Sequence, residues 1–506
     1  MSRGDQDLHP PPEGGGALKP VSPEVGEPSV HNAARQIGHR AARGAMLASA
    51  QTALINVIQL ASSILLARKL IPDEYGAFAL GATIVGFGRY LGDCGAGNAV
   101  IQMPGGDRTV DHAQLGRVFT IQLWTTGVCA VLLASFSPLI ADGFDAAPHT
   151  AAIIAVMACT LVIDAPSVVP RVRMRRGLHY ERLLRAEMGS ALVGYAVQIG
   201  ALLLGFGVWS LVLNQVIGAV ALTGFTLIAG GGTVKPVRHG ALALAKRGLS
   251  FQYAFMMQAA FTVLSVVVAA KLLGKTDLGL WQWSTVFATP LIGVAQMIHT
   301  VSFPALARLH EENESHFRSA VGLVARLITV FVSVVAGVLA GFARPLVVYI
   351  YDPKWERAIP AARVALLGVV PLALSFLWAA SLESAGRPHA RVRATVVAVI
   401  VGFVVTFPFG GLWAATGASL AISVVVPVID FWLLQRSLRA PIRRAAVDGL
   451  MTGGLSFAVS LAIADHVHSF KGLLAAGPIT ALVCVGLAFL VDPQAIKRGV
   501  KFARSR

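Results

Sequence analysis

This sequence predicts an all-α polytopic membrane protein with about 14 transmembrane helices: two parallel six-helix bundles, related by a pseudo-two-fold axis along the membrane normal, plus two extra C-terminal helices. Three observations carry that expectation. The 506 residues are 55% hydrophobic and only 13% charged, with a mean hydropathy of +0.68, far from the roughly 25% charged fraction of a soluble chain. The apolar residues fall into long runs of membrane-crossing length. A pattern also recurs after 203 residues: Ala67-Arg68-Lys69-Leu70 before Glu74-Tyr75-Gly76-Ala77-Phe78 returns as Ala270-Lys271-Leu272-Leu273 before Asp277-Leu278-Gly279-Leu280-Trp281. Gly207-Val208-Trp209 returns at nearly the same offset as Gly411-Leu412-Trp413.

Taken in order, residues 1–43 are rich in Pro, Gly and Glu and too poor in apolar side chains to offset chain entropy, so a disordered cytoplasmic tail is expected. The tail lacks the charged start and short apolar core of a cleavable signal peptide, and the first span is expected to stay in the mature protein. Six apolar runs follow, at 44–67, 77–101, 115–141, 151–169, 186–206 and 208–228, giving an N-terminal bundle over 44–232. Six more, at 249–270, 279–301, 319–342, 359–382, 394–409 and 412–434, give a C-terminal bundle over 233–440. Runs at 447–464 and 473–491 make the two additional helices of 441–506, which ends in a basic cytoplasmic tail.

Charge orients these spans, because cytoplasmic connections collect Lys and Arg. Connections from even to odd spans are strongly basic: Arg171, Arg173, Arg175, Arg176, Arg182 and Arg185; then Lys235, Arg238, Lys246 and Arg247; then Arg387, Arg391 and Arg393; then Arg436, Arg439, Arg443 and Arg444. Odd-to-even connections are neutral or acid-balanced, apart from Arg68, Lys69, Lys271 and Lys275. Both termini are therefore expected in the cytoplasm of a multi-pass membrane protein. An even number of spans per repeat makes the repeats parallel, with a substrate site expected between them near mid-membrane. The net charge of +16 reflects this topology; no continuous basic face points to nucleic acid. Cys94, Cys129, Cys159 and Cys484 all lie in apolar segments without metal-ligand spacing, so no metal or cofactor is expected.

Several of these segments resemble the polysaccharide and lipopolysaccharide exporters of the Wzx type, in the multidrug/oligosaccharidyl-lipid/polysaccharide exporter superfamily. They are Leu66-Ala67-Arg68 with Pro72-Asp73-Glu74-Tyr75-Gly76, Asp93-Cys94-Gly95-Ala96-Gly97-Asn98, Gly205-Phe206-Gly207-Val208-Trp209-Ser210, and Ser302-Phe303-Pro304-Ala305-Leu306. The resemblance implies a non-enzymatic flippase that moves undecaprenyl-pyrophosphate-linked oligosaccharides to the periplasmic leaflet for exopolysaccharide or lipopolysaccharide biosynthesis. Its expected partners are the lipid-linked oligosaccharide and membrane lipids, with a polysaccharide polymerase or export proteins as candidate further ones. The alternatives are another member of the superfamily, either a peptidoglycan-precursor flippase or a drug/cation antiporter, and a membrane polymerase or ligase. The last would need a catalytic outer domain, and the longest outer connection, 344–358, is too short for one. Relatives often carry an Asn-x-Asp pair in the seventh span; Val263 and Ser265 stand there, so no role is carried over.

A pyrophosphate headgroup needs cationic and hydrogen-bonding groups around a wet passage. Arg89 is the basic residue well inside a span, where a guanidinium costs about 2.5–3.5 kcal/mol unless paired or hydrated. Asp93, four residues on, shares its helical face: the two form either a local ion pair or, for Arg89, a substrate contact. Asp164 beside Pro166, His299, Glu383 and Asp430 form a candidate cytoplasmic vestibule or snorkel to the interface. Gln51, Asn56 and Gln59, Asn214, and Gln252 and Gln258 either bond between helices or line the cleft and meet sugar hydroxyls. Gly274-Lys275-Thr276 ends like a phosphate-binding loop but lacks its earlier glycine, and Asp465-His466-Val467-His468 is read as a solvated outer turn.

Overall fold

The computed structural model describes residues 51, 54–101, 111–144, 149–177, 179–384, 397, 424–425, 428–429, 432 and 443–491. The expected tail 1–43, most of the eleventh and twelfth spans including Trp413 and Asp430, and the basic tail 497–506 lie outside the described residues, as does the side chain of Glu383. Every regular element is helical among the described residues, and eight helices there are long and apolar enough to cross a membrane.

Local sequence sets the helix ends. Helix α1 covers 54–69, and α2, Pro72–Asp93, opens with proline at its first position while Glu74 reaches back to accept from the Ile71 N–H at 3.2 Å. The second span was expected to run unbroken to 101. It stops instead at Cys94 and Gly95, both in the left-handed region, and resumes as the short α3, Ala96–Ile101. Asp111 caps α4, His112–Gly143. α5, Thr150–Asp164, passes through a 3-10 turn at Pro166 into α6, Val168–Arg176, which carries the basic connection. α7, Tyr180–Leu203, and α8, Trp209–Ala229, are separated by left-handed Gly205 and Gly207, where the sequence placed a break. α9, Ala241–Glu312, contains the seventh and eighth spans, divided by Gly274 at φ 70° and ψ 174°. Asn313 caps α10, Glu314–Gly341; a π turn and a 3-10 turn, the latter capped by Asp352, lead to α11, Ile359–Ser384. The final helices are α12, Arg443–Ala464, and α13, Phe470–Val491.

The connections sort to two ends. At one end Arg68 donates to the Ile350 carbonyl at 2.9 and 3.1 Å, Lys354 to the Arg68 carbonyl at 3.1 Å, Trp355 Nε1 to the Ala67 carbonyl at 2.8 Å, and Lys271 to the Gly143 carbonyl. Arg357 pairs with Asp277 at 3.2 Å. These are all odd-to-even connections. At the other end Arg173 donates to the carbonyls of Gly230, Gly231 and Gly232, Arg176 to that of Val100, and Arg117 to that of His239. That end holds the described basic segments around 171–185 and 235–247, as the charge pattern requires.

Helices of the two sequence repeats cross over one another. Ala67 of α1 packs with Leu280, Trp283 and Phe287 of the second part of α9, while Leu80 of α2 packs with Val266 and Ala270 of its first part. In lipid such contacts depend on close packing of small residues rather than on hydrophobic exclusion. The same device docks α12 on α10. A Cβ on Gly341 would lie 2.4 Å from Ser460 Cβ and 2.8 Å from the Leu461 nitrogen, and one on Gly337 2.8 Å from the Gly453 carbonyl.

Candidate functional site

A charged cluster forms toward the basic end of the first repeat. α2 brings Arg89 and, one turn later, Asp93; the end of α5 brings Asp164; and the chain runs on through the 3-10 turn at Pro166 in helical conformation, so that Arg171 of α6 lies along the same face as that carboxylate. Asp164 accepts from Arg171 at 3.1 Å and lies 3.9 Å from Arg89 Nε, while Ser167 Oγ accepts from Arg171 Nε at 3.0 Å and donates to the Asp164 carbonyl at 2.6 Å. Arg89's partner is therefore Asp164 on a neighbouring helix. Arg89 and Asp93 share a helical face but form no ion pair within 4.0 Å, and Asp93 instead feels the charges of Arg171 and Arg175, as does Glu187 of α7.

Burial divides the cluster's tasks. Asp164 is 12% exposed and Arg171 27%, so they form the held part; Arg89 is 49% exposed and keeps much of its guanidinium free to meet an anion. Such a planar donor fixed by one carboxylate can present its remaining N–H groups to phosphate oxygens. Arg171, Arg175 and Glu187 were not among the expected site residues. Arg171 stands seven positions after Asp164, two helical turns along one face, and that spacing is the signal that could have found it.

The other expected residues divide. Asn56 of α1 faces α9, where a Cβ on Gly293 would lie 3.0 Å from its Nδ2. Gln51 and Gln59 are half-buried. Asn214 donates to Gln198, itself 1% exposed, and joins α8 to α7 inside the first repeat. Gln252, Gln258 and His299 lie on α9 with side chains outside the described residues.

At the opposite end the two repeats meet on equivalent positions. Thr276 Oγ1 donates to Asp73 Oδ1 at 2.6 Å, and these residues are 203 apart. A Cβ on Gly279 would lie 1.9 Å from the Pro72 carbonyl oxygen and 3.1 Å from the nitrogen of Gly76, its own counterpart. Residues related by a two-fold operation touch each other only near the axis, so this contact marks the pseudo-axis between the repeats. Beside it Trp283 stacks on Trp355 at 4.5 Å, with Tyr351 and Phe287 both edge-on to Trp283 and tilted against each other.

A family profile described as polysaccharide biosynthesis protein matches residues 65–360. The succinoglycan biosynthesis transport protein ExoT of Rhizobium meliloti (strain 1021) is 24% identical over 324 residues, which is 62% of this chain and 62% of that protein; the chain thus spans less than two thirds of that relative's length. Lipid II flippase MurJ in an inward closed conformation superposes with a TM-score of 0.70 at 13% identity, over 88% of this chain and 99% of that one. An inward-facing multidrug resistance MATE family transporter of the MOP superfamily gives 0.57 at 15% identity, over 78% and 98%.

Proposed function

The chain belongs to the polysaccharide biosynthesis protein family, and on that premise we propose that it is a flippase, not an enzyme, carrying lipid-linked oligosaccharide from the cytoplasmic to the periplasmic leaflet of a bacterial inner membrane by alternating access. The single observation that carries this reading is the contrast between the two ends: repeat-equivalent residues are joined at the charge-balanced end, while Arg89, Asp164 and Arg171 gather toward the basic one. With both termini cytoplasmic, the joined end is periplasmic, and the pose is one that loads from inside. The bundles 44–232 and 233–440 are the rocking units. Arg89 takes the pyrophosphate, Asp164 and Arg171 hold it in place, Asp93 balances the charge as substrate leaves, and the Gln and Asn side chains of α1 and α9 meet sugar hydroxyls. ExoT, named for succinoglycan transport, supports an exopolysaccharide repeat unit as cargo.

Reconstituted flipping of an undecaprenyl-pyrophosphate oligosaccharide tests this. Arg89→Ala is expected to slow flipping by about tenfold or more, the worth of a hydrogen bond to a charged group, with Arg89→Lys recovering part of it. Undiminished flipping by Arg89→Ala at equal protein level removes Arg89 from the mechanism. Failure of the unaltered protein to flip any lipid-linked sugar overturns the reading itself.

A further inference from the structure

At the end opposite the charged cluster, the last two helices complete a concave site. A cavity of about 170 Å³, room for roughly five or six waters, is lined by Arg344 from the linker after α10, Arg363 from the first turn of α11, Tyr349, and Asp465 and His468 from the turn between α12 and α13. Arg363 spends only its Nε on the Ala340 carbonyl, at 3.2 Å. Its four terminal N–H groups have no acceptor among the described residues. Arg344 pairs through Nε with the exposed Glu356 at 3.3 Å. Asp465 and Arg344 are the charges that act on Arg363, and Asp465 forms no ion pair within 4.0 Å among the described residues. Two guanidinium groups thus converge on one hollow with a single carboxylate on its wall.

We propose that this hollow binds the phosphate ester of a lipid in the outer leaflet, and that completing it is a task of α12 and α13. Two arginines in a concavity, Arg363 with its terminal N–H groups unspent and Arg344 paired only through Nε with an exposed carboxylate outside the hollow, favour a multidentate oxyanion, and phosphate matches the planar donors better than a lone carboxylate. A lipid source fits the surroundings. Phe470 and Leu474, 48% and 62% exposed at the start of α13, offer an apolar flank for chains, and Tyr349 and Val467 line the hollow beneath. The inference goes beyond the flippase reading, since it concerns binding at a site remote from the cluster and holds whatever cargo the protein moves.

The test is lipid retention by the purified full-length protein, read by native mass spectrometry, with phosphatidylglycerol, undecaprenyl phosphate and diacylglycerol as probes. Arg344→Gln/Arg363→Gln is expected to weaken retention of at least one phosphorylated lipid about tenfold, from loss of charge-assisted hydrogen bonds, while diacylglycerol is unaffected. Loss for phosphatidylglycerol alone assigns the site to bulk phospholipid; loss for undecaprenyl phosphate alone assigns it to the carrier. Asp465→Asn, on an exposed turn with both arginines intact, is expected to tighten retention severalfold by removing the competing carboxylate. Equal retention of both phosphorylated lipids by the unaltered protein and the double variant overturns the proposal, as does weakened retention in Asp465→Asn.

Discussion

The two repeats share a scaffold but not a chemistry. In the first, α2 carries Arg89 and Asp93 into a cluster with Asp164 and Arg171; in the second, the positions 203 residues on are Ile292 and Gln296, and Ile292 packs against Ala288, Leu291 and Val369 in an apolar core. The second repeat instead carries α12 and α13, docked through glycine and serine contacts and by an Arg326–Asp448 ion pair at 3.5 Å. Among the described residues, duplication therefore preserved the contact on the axis, where both copies must fit each other, and left the counterpart of Arg89 apolar. A second buried set would add the insertion cost of further ionised groups with no additional cargo to bind.

The largest effect is expected where the halves are most alike. Gly279→Val places side-chain atoms on the Pro72 carbonyl, a backbone group that cannot rotate away. Overpacking of about 1–3 kcal/mol directed at the closed-outside state corresponds to a roughly 5- to 150-fold shift of that equilibrium. Transport falls accordingly, and a cysteine placed at Thr276 becomes reactive to a membrane-impermeant thiol reagent added from outside. Unchanged labelling together with unchanged transport would mean that the axis contact is not a gate.

The next effect probes the difference between the halves. Asp164→Asn leaves Arg89 and Arg171 facing one another without their shared negative charge, and flipping is expected to drop about tenfold. Ile292→Leu, the volume-conserving change at the matching depth of the second repeat, is expected to cost less than about 1.5 kcal/mol of stability and no transport. Equal loss of flipping in both variants would erase the chemical distinction drawn between the repeats. A smaller functional consequence is expected from Gly341→Val, which forces α12 away from α10: thermal unfolding in detergent shows about 1–3 kcal/mol of destabilisation, while the first-repeat cluster keeps its affinity for pyrophosphate lipid.

Much of this division was legible in the sequence, and the reasons differ by residue. The break at Gly207 is a local rule and is read as one; the proline start of α2 and the caps at Asp111 and Asn313 are rules of the same kind that the apolar runs do not record, so those helices begin before the runs do. The sides taken by the connections followed from Lys and Arg counts, which need no tertiary information. The partner of Arg89 did not follow, because the choice between Asp93 one turn away and Asp164 on another helix is made by helix packing. The end of α2 at Cys94 was hidden for a related reason. An apolar run records membrane depth and says nothing of a left-handed residue inside it. Similarly Gly274-Lys275-Thr276, with its nucleotide-loop look, acquires meaning only when Thr276 is seen against Asp73.

That last contact yields the smallest and most specific expectation. Thr276→Val removes a hydroxyl and keeps the β-branched shape, so only the hydrogen bond across the axis is lost. Asp73 retains further interactions and is not left bare. The net worth of one such bond is about 0.5–1.5 kcal/mol, so outside labelling of a cysteine at Ser63, hydrogen-bonded to Tyr351 beside the aromatic cluster, should rise by about two- to tenfold, well short of the Gly279→Val effect. Asp73→Asn, which can still accept from Thr276, should lie between the unaltered protein and Thr276→Val. If Thr276→Val matched Gly279→Val, the side-chain bond rather than the backbone approach would be what closes the axis, and the two repeats would be held by chemistry instead of by shape.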